Sequence, residues 1–118
     1  MAGRNEAETS DDLLLQDPIL AEMVRRLVGE FHPVQVYLFG SRARNEATED
    51  SDYDLLAVVP ESGLPFSQRM LKAYHLMSGL GVSKDVVVMT QQEFQRKLSV
   101  VCSLPATVER EGILLYAA

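Results

Sequence analysis

Leu38-Phe39-Gly40-Ser41-Arg42-Ala43-Arg44-Asn45-Glu46-Ala47-Thr48-Glu49-Asp50-Ser51-Asp52-Tyr53-Asp54-Leu55-Leu56-Ala57-Val58-Val59 is the stretch on which the reading of this chain turns. An apolar run ends in Gly-Ser, a polar excursion follows, and a second apolar run opens with two aspartates separated by one residue. Val34 to Phe39 is rich in β-branched and aromatic residues and is stopped by Gly40, which predicts a first strand. Within it Val36 and Leu38 face one way and Gln35, Tyr37 and Phe39 the other. Asp52 to Val59 predicts a second strand, whose unbroken apolar part from Leu55 to Val59 suits burial on both faces. Between the two, Ser41 is placed to cap a short helix over Arg42 to Glu46, followed by a polar loop from Thr48 to Ser51.

Upstream, Asp17-Pro18 reads as a helix start, with Asp17 as the N-cap and Pro18 at the first helical position, where its missing N–H costs nothing. Leu20, Met23, Val24, Leu27, Val28 and Phe31 recur at helical spacing, leaving Glu22, Arg25 and Arg26 outside. Gly29 and His32-Pro33 close that helix, and His32 reads as a solvent-facing turn residue. Residues 1–12 are polar and acidic without apolar periodicity and are expected to form a flexible N-terminus, leaving residues 13–118 as a single domain.

Downstream, Pro60, Gly63 and Pro65 mark a loop, and Phe66 to Leu80 predicts a second amphipathic helix with Phe66, Met70, Tyr74 and Met77 as its packing stripe. His75, beside that stripe, reads as packed or solvent-facing. Val82 to Thr90 predicts a third strand. Thr90-Gln91-Gln92-Glu93 has the spacing of a capping box and opens a helix that buries Phe94, Leu98 and Val101. Ser103-Leu104-Pro105 starts another helix, reaching Glu111 and stopped by Gly112, before a short strand from Ile113 to Tyr116. Helices and strands alternate throughout, which predicts an α/β or α+β fold, a small mixed sheet with helices packed on it.

The chain has 118 residues, 47% hydrophobic and 24% charged, the length and composition of one globular domain. It contains neither a run of about 18 apolar residues nor a basic, apolar leader, so a cytoplasmic protein without membrane attachment is expected. A single cysteine, Cys102, precludes an intramolecular disulfide and reads as a small core residue. The net charge of -6 and pI near 4.8 argue against a direct grip on a nucleic-acid backbone, which needs clustered Lys and Arg.

Acidity does not exclude a nucleotide, because divalent cations supply the charge that phosphates need. Asp52 and Asp54 lie two residues apart in a strand, so they share a face with Cα atoms roughly 6.5 Å apart. Two converging carboxylates are costly unless a cation lies between them, and hard oxygen ligands are what Mg²⁺ or Mn²⁺ takes beside substrate phosphates. Asp85 sits inside the apolar third strand, and pairing that strand beside the second brings it to the same face. Three aspartates can then serve two ions in an in-line phosphoryl or nucleotidyl transfer, with Asp85 also able to accept the acceptor hydroxyl's proton. Gly40 lets the backbone approach an anion, Ser41 adds a hydroxyl, and Arg42 and Arg44 add charge-assisted contacts. Separately, a Gly-Ser is most often a turn and a strand aspartate an edge charge; together, their order along the chain lets them share one site. Tyr53, between the aspartates, points to the opposite face and belongs to the core.

Gly40-Ser41, ten residues, then Asp52-Tyr53-Asp54 and an apolar strand resembles the nucleotidyltransferase superfamily typified by DNA polymerase beta, and in particular its minimal nucleotidyltransferases, the MNT proteins. The resemblance covers Val34 to Thr90, and Val108 to Tyr116 is similar to the family's usual ending. It implies that Gly40 and Ser41 hold a nucleoside triphosphate, most simply ATP, that Asp52 and Asp54 bind metal, and that Asp85 is the third carboxylate. Asn45 departs from the glycine common at that position, but Asn tolerates the left-handed conformation. The resemblance further implies a partner, a HEPN-type ribonuclease toxin in a hetero-oligomer, silenced when AMP is transferred to one of its tyrosines (AMPylation). On that reading the chain is an antitoxin and a protein adenylyltransferase. The alternatives are a catalytically silent antitoxin that inhibits by binding, a nucleotidyltransferase with a small-molecule acceptor, and a fold with no nucleotide site at all.

Overall fold

In the computed structural model, which describes residues 10–118, the chain runs α1 (Ser10–Gln16), α2 (Pro18–Phe31), β1 (Gln35–Phe39), β2 (Tyr53–Val59), α3 (Phe66–Leu76), β3 (Lys84–Thr90), α4 (Gln91–Lys97), α5 (Leu104–Glu111) and β4 (Ile113–Ala117). The strands form one sheet in the order β3-β2-β1-β4. β1 runs antiparallel to both β2 and β4, while β2 and β3 are parallel, joined through α3. This is the small mixed sheet that the sequence predicts.

Two apolar layers cover the sheet. On one face Leu20, Met23 and Leu27 of α2, Ala73 of α3 and Met77 just past its end pack on Val36, Leu38, Leu55, Ala57, Val59 and Val88. On the other, Phe94 of α4 and Val108 of α5 pack on Leu56 and Val58, with Tyr37, Phe39, Val87 and Met89 alongside. β2 is therefore buried on both faces, as its unbroken apolar run requires. The Tyr37 and Phe94 rings stack with centroids 5.9 Å apart.

The helix boundaries follow local chemistry. Asp17 caps α2 by accepting a hydrogen bond from the Leu20 amide at 3.1 Å, with Pro18 in the first turn. His32 ends the helix in the left-handed conformation, exposed to solvent. At α4 the reciprocal capping box is complete, with the Glu93 amide donating to Thr90 Oγ1 at 3.1 Å and the Thr90 amide to Glu93 Oε1 at 2.9 Å. Ser103 caps α5 through the Ala106 amide.

Several expectations are corrected. Ser10, Asp11 and Asp12, assigned by sequence to the flexible N-terminus, begin α1; residues 1–9 lie outside the described residues. The expected helix from Arg42 to Glu46 is absent, Ser41 to Asn45 forming successive turns instead, because Asn45 adopts a φ of 61° that no right-handed helix can contain. The second amphipathic helix stops at Leu76, four residues short of the expected end, because the Arg26 guanidinium donates to the Leu76 and Ser78 carbonyls at 3.0 Å and satisfies them in place of a further turn. Its buried line is Arg69 and Ala73, continued by Met77 just past its end; of the expected stripe Met70 and Met77 pack inward, whereas Phe66 and Tyr74 are exposed. The helix opened by the capping box ends at Lys97, which leaves Val101 exposed. Cys102 is exposed in a left-handed turn, not a core residue.

Candidate active site

Strand register builds the centre of the site. Asp54 is the Cα partner of Asp85 across β2 and β3 and of Phe39 across β2 and β1. Paired residues share a sheet face, so Asp54 and Asp85 stand side by side at the end of the sheet, past the apolar cover that α4 and α5 give Leu56 and Val58. Asp52 lies one residue outside β2 and is exposed. It keeps the two-residue spacing from Asp54 that the sequence implies.

Gly40 closes this centre from the β1 side. It has a φ of 75°, and a Cβ built on it would collide with the Asp54 carboxylate. A glycine is therefore required twice at this position, for the left-handed backbone and for the space. The turn after it uses the Gly40 carbonyl as acceptor for the Ala43 amide at 3.1 Å and the Arg44 amide at 3.2 Å. Among the described residues the Ser41 and Arg42 amides have no backbone partner. A turn thus takes the place of the expected helix N-terminus, with its unengaged donors beside the carboxylates.

The electrostatics are those of crowded like charges. Burial, then Asp85, then Asp52 push the Asp54 carboxyl up to about 6, against the opposing fields of Arg44 and Arg42. An oxygen-rich, negatively charged centre beside a backbone cradle fits a hard divalent cation, which binds through one or two carboxylates and takes its remaining oxygens from substrate phosphates and water. Register sets Asp54 beside Asp85, but among the described residues no three His, Cys, Asp or Glu side chains, Asp52, Asp54 and Asp85 included, form a group placed to hold a metal ion.

The arginines have definite partners. Arg42 donates from Nε and Nη2 to the Ser51 carbonyl at 3.2 and 2.8 Å, and its guanidinium lies 3.9 Å from the Tyr53 ring centroid. Arg44 pairs with Glu46 at 2.9 Å and Glu111 at 3.6 Å. Tyr53, predicted as core, is buried, and its hydroxyl donates to Asp17 Oδ2 at 2.8 Å. Sequence reading missed this chain of contacts. Asp17 was visible as a helix cap, but the use of its second oxygen depends on α2 and β2 meeting in space.

The described residues include no helix long and apolar enough to cross a membrane. The family described as a nucleotidyltransferase domain matches residues 19–115. No curated protein matches the chain in sequence. Among solved structures, a candidate nucleotidyltransferase from Sulfolobus solfataricus is similar with a TM-score of 0.62 and 21% identity, over 99% of this chain and 93% of the other. A toxin-antitoxin structure with AMP-PNP is similar with a TM-score of 0.57 and 23% identity, over 82% of this chain and 73% of the other. At these identities the two structures speak for the fold, whereas the family match spans most of the chain and contains Gly40, Ser41, Asp52, Asp54 and Asp85. This chain belongs to the nucleotidyltransferase domain family.

Proposed function

We propose that the chain transfers a nucleoside monophosphate, AMP from ATP, to a hydroxyl of a partner protein, a tyrosine of a HEPN-type ribonuclease toxin, and thereby acts as its antitoxin. The observation that carries the catalytic half is the register of Asp54 with Asp85, with Gly40 packed against the Asp54 carboxylate. The likeness to a toxin-antitoxin structure with AMP-PNP supports the other half.

In this reading the Gly40-Ser41 turn receives the triphosphate, through the Ser41 hydroxyl and the backbone amides that the turn leaves unengaged. Arg44, exposed and paired among the described residues with the carboxylates of Glu46 and Glu111, can turn to the phosphates at small cost. Asp52, Asp54 and Asp85 would hold Mg²⁺ or Mn²⁺, which when bound offsets the charge of the carboxylates and the triphosphate. Asp85, on the edge strand, accepts the proton of the acceptor hydroxyl. The acceptor oxygen forms a bond to the α-phosphorus as the bond from that phosphorus to pyrophosphate breaks, and pyrophosphate leaves.

Intact-mass measurement of the chain co-expressed with its neighbouring reading frame, after incubation with Mg²⁺ and ATP, tests the reading. A partner gaining about 329 Da per transfer, the mass of one adenylyl group, is the expected result. A partner that binds and stays unmodified would replace transfer with inhibition by binding. Absence of any partner would favour a small-molecule acceptor.

A further inference from the structure

Arg42 lies within reach of the phosphate turn, yet its side chain is turned away toward the segment that carries Asp52. Its Nε and Nη2 donate to the Ser51 carbonyl, and Nη2 reaches the Glu49 carbonyl at 3.5 Å. The same guanidinium lies over the Tyr53 ring. Ser51 and Tyr53 are the two residues that flank Asp52 in the chain. A single side chain therefore grips both neighbours of one carboxylate.

The grip is anchored. Tyr53 cannot swing, because its hydroxyl is fixed to Asp17 Oδ2, while Asp17 Oδ1 caps α2 through the Leu20 amide. The segment gripped has little else to hold it: it lies outside β2, and its local bonds are the Ser51 amide to the Thr48 carbonyl at 3.1 Å and the Thr48 amide to Ser51 Oγ at 2.9 Å. The Tyr53 amide, bonded to the Ser83 carbonyl at 3.0 Å, marks where the sheet takes over.

We propose that Arg42 is a positioning residue for Asp52, fixing that carboxylate beside Asp54 by bridging Ser51 and Tyr53, and does not itself ligate the triphosphate. A planar fork that both donates to a carbonyl and stacks on a ring is specific to arginine; a lysine ammonium supplies charge without either geometry. The inference rests on the reading of Asp52 and Asp54 as metal ligands. Residues that orient such ligands typically change metal affinity about 10- to 100-fold when removed.

The test uses the full chain with Arg42→Gln, Arg42→Lys and Tyr53→Phe. Mn²⁺ affinity is titrated in the presence of AMP-PNP, AMP-PNP affinity is measured at saturating Mn²⁺, and amide hydrogen exchange of residues 48–53 is followed without metal. For Arg42→Gln the expected result is Mn²⁺ affinity lower by about tenfold or more, unchanged AMP-PNP affinity at saturating Mn²⁺, and faster exchange in the metal-free segment. Arg42→Lys should fail to restore either property, and Tyr53→Phe, which frees the ring from Asp17, should show a smaller change in the same direction. Weaker AMP-PNP binding rescued by Arg42→Lys, with Mn²⁺ affinity and exchange unaltered, would make Arg42 a phosphate ligand and overturn the proposal. Asp54→Asn separates the two levels: if it binds Mn²⁺ as the parent does, the metal-site reading fails, whereas the metal-free exchange still decides whether Arg42 holds the Asp52 segment.

Discussion

The backbone of Gly40 occupies the space that any side chain would contest with the Asp54 carboxylate, so the end of β1 and the start of β2 are fitted to each other through the absence of one carbon. Gly40→Ala should therefore lose more than the cost of a left-handed alanine, about 1 kcal/mol. Gly79 gives the comparison. It also has a positive φ, 87°, but a Cβ there meets nothing within 4 Å. Thermal unfolding of the two alanine variants should show the larger loss at Gly40, and only Gly40→Ala should weaken Mn²⁺ binding. Equal effects at both glycines would refute the fit.

Asp54 also sets a pH dependence. Its carboxyl is pushed up to about 6 from an ordinary value of 3.8, so over that interval the folded protein retains a proton that the unfolded chain has released. The stability associated with this group is fully present below about 4 and is lost as the pH rises through about 6. In metal-free buffer Asp54→Asn should raise the melting temperature near pH 8 and keep only about half of that advantage at pH 5, the remainder fading toward pH 4. Readings belong above that range, because Glu22 and Glu93, each held down to about 2 by arginine, withdraw their own stability as the pH falls below about 4.5. Parent and variant melting alike at both pH values would contradict the crowding of charge.

Asp52 and Asp54 together should be indispensable for transfer and dispensable for folding. Replacing both by Ala removes two charges that repel each other, so circular dichroism and melting should show an intact fold. Adenylyl transfer to the partner should fall by about a thousandfold or more, the loss of several kcal/mol of charge stabilisation. Transfer retained by the double variant would displace the site.

Arg69 supplies a test of the scaffold. It is 3% exposed and donates to the Val88 carbonyl at 2.7 Å, to the Leu64 carbonyl at 3.1 Å and to both oxygens of Glu93 at 2.8 and 2.9 Å. Glu93→Gln leaves that buried charge without its anion and should cost about 3 kcal/mol, lowering Tm by roughly 10 °C. Glu22→Gln, in a half-exposed cluster with Arg25 and Arg26 on α2, should move it much less, because neither of those arginines is buried as Arg69 is. Similar melting for the two variants would remove Arg69 as a cross-link among α3, β3 and α4.

What could be read from sequence was whatever local chemistry determines. Asp17-Pro18, Thr90 with Glu93, and Ser103 each act on residues within a turn of themselves, so the helix starts were visible. The pairing of Asp54 with Asp85 was legible because a charge inside an apolar strand has few tolerable places. Arg69 was not, since an arginine is ordinarily outside and its burial depends on Glu93 and Val88 arriving from elsewhere. Of the stripe through Phe66, Met70, Tyr74 and Met77, Met70 and Met77 pack inward while Phe66 and Tyr74 do not, because the buried face of α3 is turned to take in Arg69 and Ala73. Arg42 reads in sequence as a phosphate contact from its position after Gly40-Ser41; the contacts it makes to Ser51 and Tyr53 in the fold arise only once the turn has closed.

The parallel pairing of β2 with β3 has a kinetic consequence. β1 and β2 meet through a local connection, but β3 reaches β2 only after α3 has carried the chain back across the sheet, and long loops close late. The repulsion between Asp54 and Asp85 is thus absent from the early hairpin and falls on the later docking of β3 at its edge of the sheet. Fraying should begin at that same edge, so that catalytic competence disappears while most of the sheet still stands.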